Sequence, residues 1–379
     1  VAKAFGAADA SGSISVQAGL SLTVLGAGLA VLRLASLGGL PLAALADRLG
    51  RRRTLVGWTL LGLLATALAA ISPSYWWFVA IFALGRPFLS ASAALCSVVV
   101  SELSHPGRRA MALAVVSGGY GLGAGTNALV HSALRGVASF RFLFLTALLP
   151  LVAVALLRHQ LPEPAAAEVL DGAKPRFGGV GRAQRGRLSK VLALIFVTSA
   201  TSAPASSFVF LYAENVVHLA KWYESAMIAL AALFGLAGLL WGRHVADRRG
   251  RRPAVAIGIT AVAAASVILY AGGRGLVVIG YLLGVLSTGF LAPGGTALSN
   301  ELFPTSVRAS VAGWGIVASV LGAVCGLVVF GAIVDGSGSF EVAALVGLLP
   351  VAIALALLSR LPESLGAELE GTIGAGGPS

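Results

Sequence analysis

Charge is what this chain has least of. Lys, Arg, Asp and Glu make up 11% of its 379 residues, where a soluble domain carries about 25%. With 57% hydrophobic residues and a mean hydropathy of +0.91, the chain cannot wet the surface of a soluble fold, which leaves a polytopic membrane protein. Acids are scarcer still, 15 against 27 lysines and arginines, for a net charge of +12. That excess would mean nucleic acid if it formed a stripe with aromatics interleaved. It falls instead in short clusters between apolar runs, as in loops facing anionic lipid, so lipid is an expected partner and nucleic acid is not. The two cysteines, Cys96 and Cys325, both lie inside apolar runs and read as small buried residues, not as a disulfide or a metal site. Catalytic constellations are missing too: there is no phosphate-binding loop, no His/Cys cluster at metal spacing and no nucleophile beside a base. No enzyme, cofactor or metal is expected, nor direct use of ATP. Residues 1–20 have no basic stretch leading into an apolar run, so no signal peptide is read there.

What the chain has is apolar runs. A membrane-crossing helix needs about 20 apolar residues. Such segments run near 20–46, 54–73, 75–102, 109–134, 139–159, 190–213, 224–246, 253–272, 275–301, 307–334 and 340–360. That makes eleven, five before a polar Pro- and Gly-bearing stretch at 160–189 and six after it. Basic residues mark the cytoplasmic side: Arg48 to Arg53, Arg108 and Arg109, 174–190, Arg248 to Arg252 and Arg308 share one side, with Arg135, Arg141, Lys221 and Arg274 as exceptions. Tyr75, Trp76 and Trp77 mark the opposite interface. An odd count leaves residues 1–20 outside with nothing to carry them across. Since the chain opens on Val1, a first helix is expected to be absent, and the spans number two to twelve of an expected 12.

Two stretches organise the rest. Asp47-Arg48-Leu49-Gly50-Arg51-Arg52 returns 200 residues later as Asp247-Arg248-Arg249-Gly250-Arg251-Arg252, each between two apolar runs. Glu102 precedes Arg109 by seven residues, as Glu301 precedes Arg308, and Leu161-Pro162-Glu163 returns as Leu361-Pro362-Glu363. Paired landmarks at a nearly constant offset mean two homologous halves. The boundaries expected are an N-terminal bundle at 1–159, a cytoplasmic linker at 160–189, a C-terminal bundle at 190–363 and a cytoplasmic tail at 364–379.

These motifs resemble the major facilitator superfamily, in its sugar-porter-like and metabolite-symporter-like branch. The Asp-Arg-x-Gly-Arg-Arg turns are similar to the family's loops after helices two and eight, and Asn300 to Ala309 to its loop after helix ten. Gly85-Arg86 and Phe140-Arg141-Phe142 also match. The resemblance implies an all-α membrane protein of two pseudo-symmetric helical bundles. It also departs from the family. The glycine four residues before the turn aspartate is Ala43 in one copy and Arg243 in the other, so looser packing is expected there. The glutamine-rich sugar signature of helix seven and the Gly-Pro motif of drug antiporters are both missing, which disfavours a hexose and weakens an export reading.

Two sets of residues are candidates for the mechanism. Asp47, Arg48, Gly50, Arg51, Arg52, Glu102 and Arg109, with their counterparts Asp247, Arg248, Gly250, Arg251, Arg252, Glu301 and Arg308, can form a cytoplasmic gate of ion pairs. Asp47 can also accept from a helix N-terminus. The plainer alternative makes all of them solvated topology markers. Arg33 and Arg86 each lie about 20 Å along their helices from the turn acids. A guanidinium so deep costs at least ~2.5 kcal/mol unless it faces a cavity; snorkelling is the alternative. Span seven is polar around Pro204, with Thr198, Ser199, Ser202 and Ser206, and Asn127 and His131 add polar groups in span five. No Asp or Glu lies mid-span; sugar-porter-like relatives place one on the first helix, opposite the fourth-helix arginine.

The function expected is secondary transport of a small anionic or polyhydroxylated metabolite across the cytoplasmic membrane by alternating access. Protons are the expected coupling partner and a monomer the expected state. A drug exporter, a non-transporting sensor and an inactive fragment are the alternatives.

Overall fold

The computed structural model describes residues 21–103, 141–157, 182–303 and 305–363, with a few single positions between 116 and 130. Every element among the described residues is helical. The chain divides into an N-terminal unit, 1–174, and a C-terminal unit, 175–379.

In the N-terminal unit, α1 (Leu22–Ser36) starts where Ser21 Oγ accepts from the Val24 N–H at 3.2 Å. α2 (Gly39–Leu49) follows at once, so the first apolar run is two helices and not one. The break falls at Leu37 and Gly38, because Pro41 has no N–H to donate back to Leu37. Gly38 and Gly39 bring this corner against Pro87 and Ser90 of α4 (Tyr75–Leu103). α3 (Arg51–Leu68) ends in a 3₁₀ turn, Ala69–Ile71, and packs along α4, with Trp58, Ala46, Ala91 and Leu95 as a buried cluster. Two short helices, α5 (Arg141–Leu145) and α6 (Leu148–Leu157), complete the described part.

The C-terminal unit holds α7 (Arg182–Asn215), α8 (Lys221–Arg249), α9 (Arg251–Tyr270), α10 (Arg274–Glu301), α11 (Thr305–Ser337), α12 (Phe340–Val346) and α13 (Leu348–Ser359). Glycine sets its closest pairs. Gly238 and Gly242 of α8 lie against the backbone of Leu286 and Phe290 of α10, and Gly322 and Gly326 of α11 lie against Phe196 and Ala200 of α7. Where no hydrophobic force separates helix from lipid, such small-residue contacts drive packing. One core joins Val191, Leu194, Val255, Leu302, Phe303, Val311, Leu358 and Leu361 at the end where α7, α9 and α11 begin. At the other end Phe208, Tyr212, Tyr270, Phe330 and Phe340 form an aromatic cluster. Within it, Tyr212 Oη donates to the Tyr270 carbonyl at 3.2 Å and Tyr270 Oη to the Pro204 carbonyl at 3.1 Å.

Among the described residues, nine segments are long and apolar enough to cross a membrane, and they coincide with nine of the eleven expected spans. The span expected at 109–134 lies outside the described residues apart from single positions. The span at 139–159 is α5 and α6, interrupted before Pro150, as α12 and α13 are interrupted before Pro350. This is the 200-residue repeat appearing in the backbone. α7 begins at Arg182, earlier than the apolar run at 190, because Ala183, Gln184, Arg185, Arg187 and Leu188 favour helix without forming an apolar run. Pro293, with Gly294 and Gly295 after it, lies inside the continuous helix α10.

Candidate functional site

Each Asp-Arg-x-Gly-Arg-Arg turn is a single residue joining two helices. Gly50 at φ +92° ends α2 and starts α3, and Gly250 at φ +106° does the same between α8 and α9. With ψ at 125° and 160°, this conformation is open only to glycine.

Around Gly250 the charges converge. Arg251, the first residue of α9, places its guanidinium between Asp247 at the end of α8 and Glu301 at the end of α10. The separations are 2.6 Å to Asp247 Oδ1 and 3.2 Å to Glu301 Oε1. Arg251 Nε donates to both Glu301 oxygens at 3.3 Å. The Arg251 and Glu301 side chains are only 16% and 22% exposed, which separates them from solvated surface charges. Arg243 lies 3.6 Å from the other Asp247 oxygen, one turn back along α8.

Glu363, just beyond α13, accepts from the Arg251 N–H at 2.7 Å and the Arg252 N–H at 3.1 Å. These are open donors at the positive end of α9, and Gly250 has no side chain to cap them. A Cβ at 250 would meet Glu363 Oε2 at 2.9 Å and push the flexible carboxylate aside, while the turn itself needs glycine. In return, Arg252 donates to the Ser359 carbonyl at 2.8 Å and Lys190 to the Arg360 carbonyl at 3.4 Å, at the negative end of α13.

The structure thus brings together Asp247, Gly250, Arg251, Arg252 and Glu301 from the sequence-predicted set, and adds Glu363, Arg243 and Lys190. Glu363 carried a signal, the repeated Leu-Pro-Glu, that marked only where a half ends. At the C-terminal turn the helix N-terminus is capped by Glu363 and not by the turn aspartate. The neighbouring Gly242 approaches the Phe290 backbone closely. Arg248 is placed at the end of α8. In the N-terminal copy, Arg51 and Arg52 are half-buried at the start of α3. The side chains of Asp47, Arg48, Glu102 and Arg308, and the whole of Arg109, Asn127 and His131, lie outside the described residues.

The two deep arginines differ. Arg33, in the last turn of α1, is exposed. Arg86 on α4 is half-buried, its Cζ 5.8 Å from the centre of the Phe82 ring in a cation–π arrangement. Phe82 in turn packs on Phe78 and Phe144.

Most hydroxyls of span seven turn back onto their own helix. Thr198, Thr201 and Ser206 donate to the carbonyls of Leu194, Val197 and Ser202. Ser202 and Ser206 do meet, with Ser266, Tyr281 and Thr288, around a cavity of about 80 Å³, too small for a metabolite. Ser199 reaches across to Ser319 of α11 at 2.9 Å, beside a larger cavity of about 470 Å³. Sequence reasoning missed Ser319, Thr296 and Ser299 of that wall, because isolated hydroxyls in apolar helices carry no pattern.

No curated protein matches the chain. Among solved structures, it is similar to the inward-open xylose transporter XylE from E. coli. The TM-score is 0.71 at 17% identity, over 92% of this chain and 88% of that one. It is also similar to a bacterial homolog of the human lysosomal transporter Spinster, in an inward-facing and occupied conformation. There the TM-score is 0.69 at 15% identity, over 90% and 89% of the two chains. The family pattern described as "Sugar (and other) transporter" matches residues 181–372. The pattern of the Major Facilitator Superfamily matches residues 4–272, well over half of the chain. Together with apolar helices of membrane-crossing length joined by glycine turns that repeat at 200 residues, this makes the protein a multi-pass membrane transporter of the major facilitator superfamily, and not an enzyme.

Proposed function

We propose that the protein is a secondary active transporter that moves a small metabolite, anionic or polyhydroxylated, across the cytoplasmic membrane by alternating access, with protons as the coupling ion. In this reading the chain works as a monomer in lipid, with residues 1–159 and 190–363 as its moving bundles. The linker at 160–189 and the tail at 364–379 lie on the cytoplasmic side. The observation that carries the proposal is the Arg251 cluster. Charges that only marked topology would be solvated, whereas the Arg251–Glu301 pair is largely enclosed and, with the more exposed Asp247, joins the ends of α8, α9 and α10. An ion-paired helix end behaves as one body, as rocking requires, and its counterpart motif at Asp47 to Arg52 assigns the same work to the other bundle. Together the two turns, with Glu102, Arg109 and Arg308, form the cytoplasmic gate. Arg33 and Arg86 supply the positive charge for an anionic solute or for the carboxylate that carries the proton, with Asn127, Ser202 and Ser206 as further polar contacts.

The experiment is uptake by proteoliposomes of radiolabelled monocarboxylates, dicarboxylates and sugars, with and without an imposed pH gradient. Gradient-driven accumulation of an acid, lost in Arg86→Gln and slowed several-fold in Asp47→Asn at unchanged expression, is the expected result. Accumulation indifferent to both the gradient and Arg86 refutes proton-coupled anion transport.

A further inference from the structure

A knot of cations sits at the end of α13. Lys190 Nζ donates to the Arg360 carbonyl at 3.4 Å, and Arg252 donates to the neighbouring Ser359 carbonyl at 2.8 Å. Both are held by the negative end of the helix, where Arg360 adds its own exposed side chain. Glu363, the acid beside them, accepts from the amides of Arg251 and Arg252. An ammonium carries three N–H bonds and a guanidinium five, so these cations keep donors for an acceptor from outside. Lys190 lies in the membrane-crossing segment Gln184–Asn215 near its start, and Arg360 directly follows the segment Phe340–Ser359. The knot is therefore at the level of lipid headgroups.

On the same flank, a groove of about 370 Å³ runs between α7, α11, α12 and α13, large enough to hold a ligand. Val329, Val346, Leu349 and Ile353 form its outer edge. These apolar side chains are exposed and belong to membrane-crossing segments, so hydrocarbon touches them. Leu349 and Ile353 are 68% and 61% exposed. They fall on the same side of α13 as Arg360, because eleven and seven residues at 100° each come within about 20° of whole turns. At ~1.5 Å per residue, the groove meets α13 at Ile353 about 10 Å from Arg360 and reaches Leu349 at about 16 Å. That is the depth of one leaflet, whose hydrocarbon is about 15 Å thick.

We propose that this flank binds one anionic phospholipid, with its phosphate on Lys190, Arg252 and Arg360 and one acyl chain laid along Ile353 and Leu349 into the groove. A free phosphate would leave the groove unfilled, and a neutral hydrocarbon would leave the cations unmet. A second copy of this chain fits worse. Copies in one membrane share an orientation, so pairing across α13 would set one knot of cations beside the other. The proposal rests on the membrane placement of these helices and not on transport.

The test counts lipids on the purified full chain by native mass spectrometry in a non-ionic detergent. Dioleoylphosphatidylglycerol and dioleoylphosphatidylcholine are titrated in, two lipids with the same acyl chains and different net charge. One phosphatidylglycerol should be retained, about tenfold more tightly than phosphatidylcholine at low salt, and the preference should shrink as salt screens the cations. One cation near a membrane surface is worth about fivefold in affinity. Arg360→Gln should thus weaken phosphatidylglycerol about fivefold, and Lys190→Gln with Arg360→Gln about 25-fold. Arg274→Gln, which removes an exposed cation at the start of α10, should leave it unchanged. Val329→Trp fills the mouth of the groove and should weaken both lipids, whereas Ile257→Trp, at an exposed position on α9, should weaken neither. Equal affinity for the two lipids, or equal loss in Arg274→Gln and Arg360→Gln, overturns the headgroup site. Unchanged binding in Val329→Trp overturns the groove, and Leu349→Trp takes its place if that variant does not fold. A dimer that carries no lipid gives the flank to a second copy and overturns the proposal. Lipid count and flux are separate readouts. A chain that retains the phospholipid but moves no solute keeps the site and loses the transporter reading, and one that moves solute without retaining the lipid does the reverse.

Discussion

The contact between α7 and α11 yields the sharpest stability prediction, through Gly326. An alanine there would put its Cβ 2.7 Å from the Ala200 carbonyl carbon and 2.8 Å from the Ala200 Cα, backbone atoms that cannot swing aside. Carbon atoms settle at about 3.5–4.0 Å, so the two helices must part by about 1 Å. Overpacking of this kind costs about 1–3 kcal/mol, while replacing a helical glycine by alanine returns at most about 1 kcal/mol in propensity. The contact is sensitive for a second reason. Pro204 has no N–H, so the Ala200 carbonyl lacks its usual intrahelical donor and meets the Gly326 backbone instead. The same separation carries the 2.9 Å Ser199–Ser319 pair out of hydrogen-bonding range. Gly336, on the same helix, is the matched control, because a Cβ added there would meet nothing within 4 Å. Unfolding of the purified chain in detergent, followed by thermal scan and by SDS titration, should place Gly336→Ala at or above the parent and Gly326→Ala below both by about 1–2 kcal/mol. Equal stability of the two alanine variants would refute the reasoning.

Three other expectations follow from the same geometry. Glu363→Ala should destabilise the start of α9 by about 1 kcal/mol, as loss of a helix cap does, whereas Glu363→Gln keeps an oxygen acceptor and should lose about half as much; amide exchange at Arg251, Arg252, Ala254 and Val255 reads both, and equal exchange in all three proteins would remove Glu363 as the cap. Tyr270→Phe deletes the buried bond to the Pro204 carbonyl and should lower stability by about 1 kcal/mol without displacing the aromatic cluster, a loss visible by thermal scan; an unchanged midpoint counts against that bond. Single cysteines at Ser189 and Ser364 should both be shielded from an impermeant thiol reagent added outside whole cells, and labelling of either reverses the orientation given to the linker and the tail.

How much of this was legible in the residues depends on how far apart the interacting groups lie in the chain. Hydropathy alone located nine membrane-crossing segments among the described residues, because in lipid a helix must satisfy its own backbone and so depends on its own residues. The Asp-Arg-x-Gly-Arg-Arg motif likewise dictated the turns at Gly50 and Gly250, since a positive φ between two helices needs only a glycine at that position. Pairing was a different matter. Only the folded unit showed that Gly326 of α11 meets the carbonyl that Pro204 leaves open on α7. Glu363 caps a helix that starts 112 residues before it, and Ser199 meets Ser319 across 120 residues. Such contacts are set by how each helix is rotated about its own axis. A change of one residue in spacing turns a side chain by about 100°, so hydroxyls in an apolar helix announce their presence in the sequence but not the direction they face. Composition and local pattern therefore determined that the chain crosses a membrane, and where it turns. The packing of one helix face on another decided which acid holds the basic end together, and that Ser199 and Ser319 meet beside a cavity.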